Sequence, residues 1–117
     1  MINKEKKQAR YLRDPLPVRL AGLAADFARI ASSARYEDGA ANVADMLEEA
    51  QYFIEWTAAE LDPDLAGELV DIQRMVALWR KTWPEAQKSV TQRTLLSVQA
   101  KKWSDQVLDY SGLLREA

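Results

Sequence analysis

Eleven carboxylates fall between residues 37 and 73, and no lysine or arginine lies among them. Within that stretch Asp45-x-x-Glu48 and Glu68-Leu69-Val70-Asp71 offer the i, i+3 spacing, and Asp45 with Glu49 the i, i+4 spacing, that brings two carboxylates to one helix face. Such pairs, supplied by adjacent helices, could hold a hard divalent cation that positions and activates a water. The rest of the composition leaves little other chemistry. The chain has no cysteine and no histidine. That excludes disulfides, thiolate and imidazole metal sites, a cysteine nucleophile and Ser-His-Asp catalysis. It also excludes a di-iron site built on Glu-x-x-His pairs. Gly22, Gly39, Gly67 and Gly112 are scattered, so no phosphate-cradling loop of the usual pattern is present. No cofactor is expected.

The second candidate chemistry is recognition. Tyr52 and Trp56 form an i, i+4 aromatic pair, about 160–200° round the helix from Ile54 at 100° per residue. Asp45 and Glu49 share their face. On a simple bundle that face meets solvent, and aromatic anchors dominate interface energetics. Tyr52, Trp56, Asp45 and Glu49 are therefore the predicted partner-binding residues. The alternative is an intramolecular cover, such as the amino-terminal segment. Val18, Gly22 and Ala25 make a small-residue face suited to close packing, and Leu95 and Val98 lie off the apolar stripe of their helix. These extra faces point to a second copy of the chain or another protein as partner, or to a thicker monomer core. Trp79, Trp83 and Trp103 fall on core stripes.

Four helices must position these groups. Asp14-Pro15 reads as a helix start, with Leu16, Leu20, Leu23, Phe27, Ile30 and Ala34 following at alternating spacings of 4 and 3. Tyr36-Glu37-Asp38-Gly39 is turn chemistry. A second helix spans about 40–61, with Val43, Leu47, Ala50, Ile54, Thr57 and Leu61 as its stripe. Asp62-Pro63 opens a third helix with Leu65, Leu69, Ile72, Val76, Trp79 and Trp83, which Pro84 ends or kinks. Ser89-Val90-Thr91-Gln92 fits a capping box, and Leu96, Ala100, Trp103, Val107, Tyr110 and Leu114 follow. One rhythm and short connections predict an all-α protein: an antiparallel up-down four-helix bundle over residues 14–117, preceded by a short, flexible basic arm over 1–13.

Charge is segregated along the chain. Residues 1–36 carry eight basic and three acidic groups, 37–73 only acids, and 74–117 eight basic and four acidic groups. Neighbouring helices of opposite sign then attract one another, each exposed pair contributing about 0–1 kcal/mol. Lys4, Lys6, Lys7, Arg10 and Arg13, with Tyr11 as a stacking ring, could touch an anionic surface. The chain as a whole is acidic and offers no recognition helix, so nucleic acid is not an expected partner. The absence of a long apolar run argues against a membrane, and the start has no secretory h-region, which predicts a cytoplasmic protein.

The acidic pattern resembles that of all-α nucleotide pyrophosphohydrolases of the MazG type, in which Glu-x-x-Glu on one helix and Glu-x-x-Asp on the next hold Mg²⁺. The resemblance implies a metal role for Glu48, Glu68 and Asp71. The sequence departs from the pattern at Tyr52, three positions after Glu49. Register is also poor: with the turn near Asp62, Glu48 and Asp71 lie about 7 Å apart along the hairpin axis. Separately, Phe53-Ile54-Glu55-Trp56-Thr57-Ala58, with Glu68-Leu69-Val70, Leu78-Trp79, Trp103-Ser104 and Ser111-Gly112-Leu113-Leu114, resembles short helical proteins found mainly in cyanobacteria, a likeness that implies no activity. The leading expectation is a non-enzymatic interaction or self-associating protein, with the Mg²⁺-dependent pyrophosphohydrolase as alternative.

Overall fold

In a computed structural model, which describes residues 3–112, the Asn3 side chain accepts a hydrogen bond from the Lys6 backbone N–H (3.1 Å) and caps a helix, α1, over Lys4–Leu12. The sequence predicts a short, flexible basic arm there. Local preference explains the difference: lysine, glutamine, alanine and arginine are good helix formers, Glu5 suits the positive end of the helix dipole, and Arg10 suits the negative end. The segment has no apolar period because a single residue, Tyr11, anchors it.

Four longer helices follow: α2 (Leu16–Ala34), α3 (Glu37–Ala58), α4 (Pro63–Ala86) and α5 (Val90–Ser111). The described residues contain five helices, not four, and no strand. None of these helices is long and apolar enough to cross a membrane. Leu114, the last predicted stripe position, lies outside the described residues.

Several helix ends differ from expectation by one turn or less. Pro15, not Asp14, is the N-cap of α2; the Asp14 carbonyl instead accepts from Arg19 Nε (2.9 Å). Glu37, Asp38 and Gly39 belong to the first turn of α3, where two acids favour the helix dipole, so only Arg35 and Tyr36 connect α2 to α3. Asp62 caps α4 as its sequence predicts, accepting from Asp64 N and Leu65 N (both 3.1 Å). The helix then runs through Pro84, which lacks the N–H that would bond the Arg80 carbonyl and crowds that carbonyl with its ring; only Glu85 and Ala86 follow it in the helix, so a bend there displaces little. Ser89 Oγ accepts from Gln92 N (3.3 Å), the serine half of the capping box.

The stripes meet in one core of Leu20, Leu23, Phe27, Ile30, Val43, Leu47, Ile54, Leu69, Ile72, Val76, Trp83, Leu96, Trp103 and Val107. α2 packs most extensively on α5, and its closest approach is made by other residues than the small face predicted. Ser97 Oγ donates to the Ala31 carbonyl (2.6 Å) and Ser104 Oγ to the Ala24 carbonyl (2.8 Å), so the two helices run in opposite directions with small residues between them. Val18, Gly22 and Ala25 face solvent. On the other side, α5 meets α4 along a much narrower seam. There Trp79 Nε1 donates to Gln99 Oε1 (2.6 Å), and deeper in, Trp83 Nε1 donates to the Ala40 carbonyl of α3 (2.8 Å). Two indoles on one side and serines on the other set the two separations.

Candidate interaction surface

The face carrying Tyr52 and Trp56 lies beneath α1. Tyr11 stacks on Phe53 with ring centroids 4.2 Å apart and planes 9° from parallel, and tilts against Trp56 at 5.9 Å. Tyr52 and Trp56 stack on each other at 5.6 Å. Lys4 Nζ sits 5.0 Å from the centre of the Tyr52 ring, and Lys7 Nζ pairs with Glu49 at 2.6 Å. Tyr52, Trp56 and Glu49 are half-buried, while Asp45 stays exposed. The structure therefore places Tyr52, Trp56 and Glu49 against the chain's own first helix, the cover that stands as the alternative to a partner surface, and leaves Asp45 exposed. The missed signal is Tyr11: an aromatic ring in a polar helix is an anchor.

Two buried polar contacts fix α1 there. The Tyr11 hydroxyl lies 2.5 Å from Thr57 Oγ1 and donates to the Arg19 carbonyl (3.5 Å), and burial pushes its pKa above the ordinary value near 10. Arg19 reaches from α2 to Glu60 with a bidentate pair (2.5 and 2.8 Å). That hydrogen-bonded pair raises the Arg19 pKa and lowers that of Glu60.

The segregated charge has a structural use. Lys7 of α1, Arg19 of α2 and Arg80 of α4 pair across helices with Glu49, Glu60 and Glu48 of the acidic stretch. This occupies the carboxylates considered as metal ligands. Arg80 holds Glu48 at 3.1 Å, Glu68 accepts from the Tyr110 hydroxyl at 3.0 Å, and Asp71 pairs loosely with Arg74 at 3.8 Å. Glu68 and Arg80 are on one helix and about 18 Å apart along it, so Glu48 and Glu68 stand at different levels. No group of three acidic side chains placed to hold a metal occurs among the described residues. Burial is the main reason that Tyr110, beside Gln106 and Glu68, has its pKa pushed up to about 12.

An apolar surface that no other described residue covers lies between α4 and α5. Met75, Leu78 and Trp79 form one wall and Leu95 the other, with Thr82, Gln92 and Gln99 at the edges, around a groove of about 390 Å³. Leu78 is 55% exposed, Leu95 52% and Met75 38%. None of these seven lining residues is charged. Trp79, expected in the core, is half-buried: its N–H is satisfied by Gln99, which leaves the ring as a groove wall. Leu95 stood out in the sequence as off-stripe. Met75 and Leu78 did not, because they border the core positions Ile72, Val76 and Trp79 and read as a broad stripe.

Comparison with protein-family models, curated proteins and solved structures finds no match to this chain.

Proposed function

We propose that this is a non-enzymatic, self-associating helical protein, and that two copies meet through the α4–α5 groove. In this reading α2 to α5 act as an antiparallel up-down four-helix bundle, α1 closes its α3 side, and the α4–α5 side is left for a second copy. The observation that carries the reading is the uncharged groove with Met75, Leu78 and Leu95 exposed in it. Interface centres are depleted of charge, and isolated monomers rarely keep contiguous apolar patches without a use.

A second copy suits this face for two reasons. Around a two-fold axis each patch meets itself, so a patch with a charged centre would repel its twin, and this one has no charge there. The helices that flank the groove also leave room for a rim: α4 and α5 are each about 33–36 Å long, enough to surround an apolar centre with the polar edge of a standard interface of roughly 800 Å² per partner.

Light scattering on the full chain, with the double variant Leu78→Glu/Leu95→Glu beside it, tests this. The wild type should show twice the chain mass and the variant one chain mass. The variant's helix content should be unchanged, because both side chains are more than half exposed. A single-chain wild type at every concentration, or a variant that keeps the doubled mass, overturns the proposal.

A further inference from the structure

On the opposite flank of α5, where it meets the end of α2, lies a cavity of about 460 Å³ whose walls carry three cations and no carboxylate. Arg35 comes from the end of α2, and Lys101 and Lys102 from α5. Lys101 is paired with Asp105 at 2.7 Å. Arg35 Nε donates to Ser97 Oγ (3.2 Å), and that hydroxyl donates in turn to the Ala31 carbonyl (2.6 Å). The guanidinium is thus oriented by a fixed group. Its two terminal nitrogens, and the Lys102 ammonium, have no ion-pair partner among the described residues. Two unpaired cations beside a third raise the local positive potential in a chain that otherwise has more acids than bases.

The rim adds a ring. Tyr36, the N-cap of α3, is 65% exposed, the most exposed aromatic side chain among the described residues, and it makes no ring contact with any of them. The floor is Ala28 and Ala31, with the Ser32 hydroxyl beside them. Small floor residues leave room, a planar exposed ring offers a stacking face, and an oriented guanidinium beside an ammonium offers a phosphate site. Glu37 and Asp38 follow Tyr36 but are not part of the lining, and their charge disfavours a long polyphosphate.

We propose that this α2–α5 cavity binds a nucleoside phosphate, with the phosphate on Arg35 and Lys102 and the base stacked on Tyr36. The proposal is independent of pairing through the α4–α5 groove, because the two sites share no residue.

The test is amide chemical-shift titration of the full chain with adenosine monophosphate, inorganic phosphate and a short oligoadenylate. The nucleotide should bind with a dissociation constant near or below about 1 mM, a range typical of a shallow site with few contacts. Shifts should centre on Ser32, Arg35, Tyr36, Ser97 and Lys102. Arg35→Ala/Lys102→Ala should weaken binding by about tenfold or more, and Tyr36→Ala should abolish the preference for the nucleotide over inorganic phosphate while Tyr36→Phe keeps it. All these side chains except Ser97 are at the surface or half-exposed, and an unchanged melting temperature confirms that the variants fold. Absence of shifts at millimolar nucleotide, equal binding of phosphate and nucleotide, or binding of the oligonucleotide alone overturns the proposal.

Discussion

The Tyr11 hydroxyl and Thr57 Oγ1 lie 2.5 Å apart, joining α1 to the last turns of α3 at a point from which water is excluded. Thr57 is fully buried, and the Tyr11 ring above it stacks on Phe53. Removing the hydroxyl and removing the ring therefore have different consequences. Tyr11→Phe keeps the stack and should lower stability by roughly 1 kcal/mol, the worth of a hydrogen bond whose remaining partner stays buried. Tyr11→Ala should cost roughly 3 kcal/mol or more and release α1. Urea unfolding of both variants, with limited proteolysis of α1, checks this. Equal losses in the two would mean that the stack does not anchor the helix.

Tyr11 and Tyr110 link stability to alkaline pH. Burial raises the pKa of both above the ordinary value near 10, that of Tyr110 to about 12. Between pH 10 and 12 the unfolded chain releases the Tyr110 proton while the folded chain keeps it, and Tyr11 acts in the same direction. The unfolded state then binds fewer protons, so stability falls with rising pH. The contribution is intact below pH 10 and lost as pH passes through the folded values. The melting temperature should be flat from neutral pH to about 10 on this account and then decline, and Tyr110→Phe should make the decline shallower. An equally steep decline in the variant would remove Tyr110 from the explanation.

Much of this arrangement is legible in the sequence, and the parts that are not have identifiable causes. The stripes of α2 to α5 are readable because their period is regular and their buried residues are large. α1 is not, since one ring in a polar segment leaves no period, and the long-range partners Phe53 and Thr57 that make it an anchor are not local information. Pro84 misleads because a proline can bend a helix without ending it, and with only Glu85 and Ala86 after it in α4 the two outcomes look alike in the sequence. The close α2–α5 approach rests on Ser97 and Ser104, whose hydroxyls read as surface until they meet the Ala31 and Ala24 carbonyls. For the recognition surface, Tyr52 and Trp56 are correctly singled out as off the main stripe. What covers them, and the opening beside Trp79, depends on which helices end up as neighbours.

The Arg19–Glu60 pair makes the opposite pH prediction. The guanidinium holds the Glu60 carboxyl below its ordinary value near 4.5. A depressed carboxyl stabilises the folded chain above its unfolded pKa, and the effect disappears as pH falls through the folded value. Glu60→Gln should therefore be less stable than wild type at neutral pH, with the gap closing in acid. Because Glu60 is well exposed, added salt should also narrow the gap. Urea midpoints of the two proteins at neutral and acid pH, each at low and high salt, test this. A gap that ignores both pH and salt would show that packing of the side chains, not their charge, is what the substitution removes.

Gly39 and Gly67 lie in the first turn of α3 and the second turn of α4, yet alanine should act oppositely at the two. At Gly39 a Cβ would fall 2.6 Å from the Ser33 carbonyl oxygen, which accepts from Tyr36 N in the α2–α3 connection (3.4 Å). That atom is backbone and cannot swing aside, so the two helices must separate or the turn must open. Gly39→Ala should be destabilising by about 1–3 kcal/mol, despite alanine's better helix propensity. At Gly67 nothing lies within 4 Å of the added carbon, and the site is exposed. Gly67→Ala should gain roughly 0.5–1 kcal/mol from reduced freedom in the unfolded chain. Denaturant unfolding of the two single variants decides the matter, since propensity alone would give the same sign at both positions. A stabilised Gly39→Ala would mean that α2 and α3 can shift apart without cost, and that the short Arg35-Tyr36 connection does not fix their spacing.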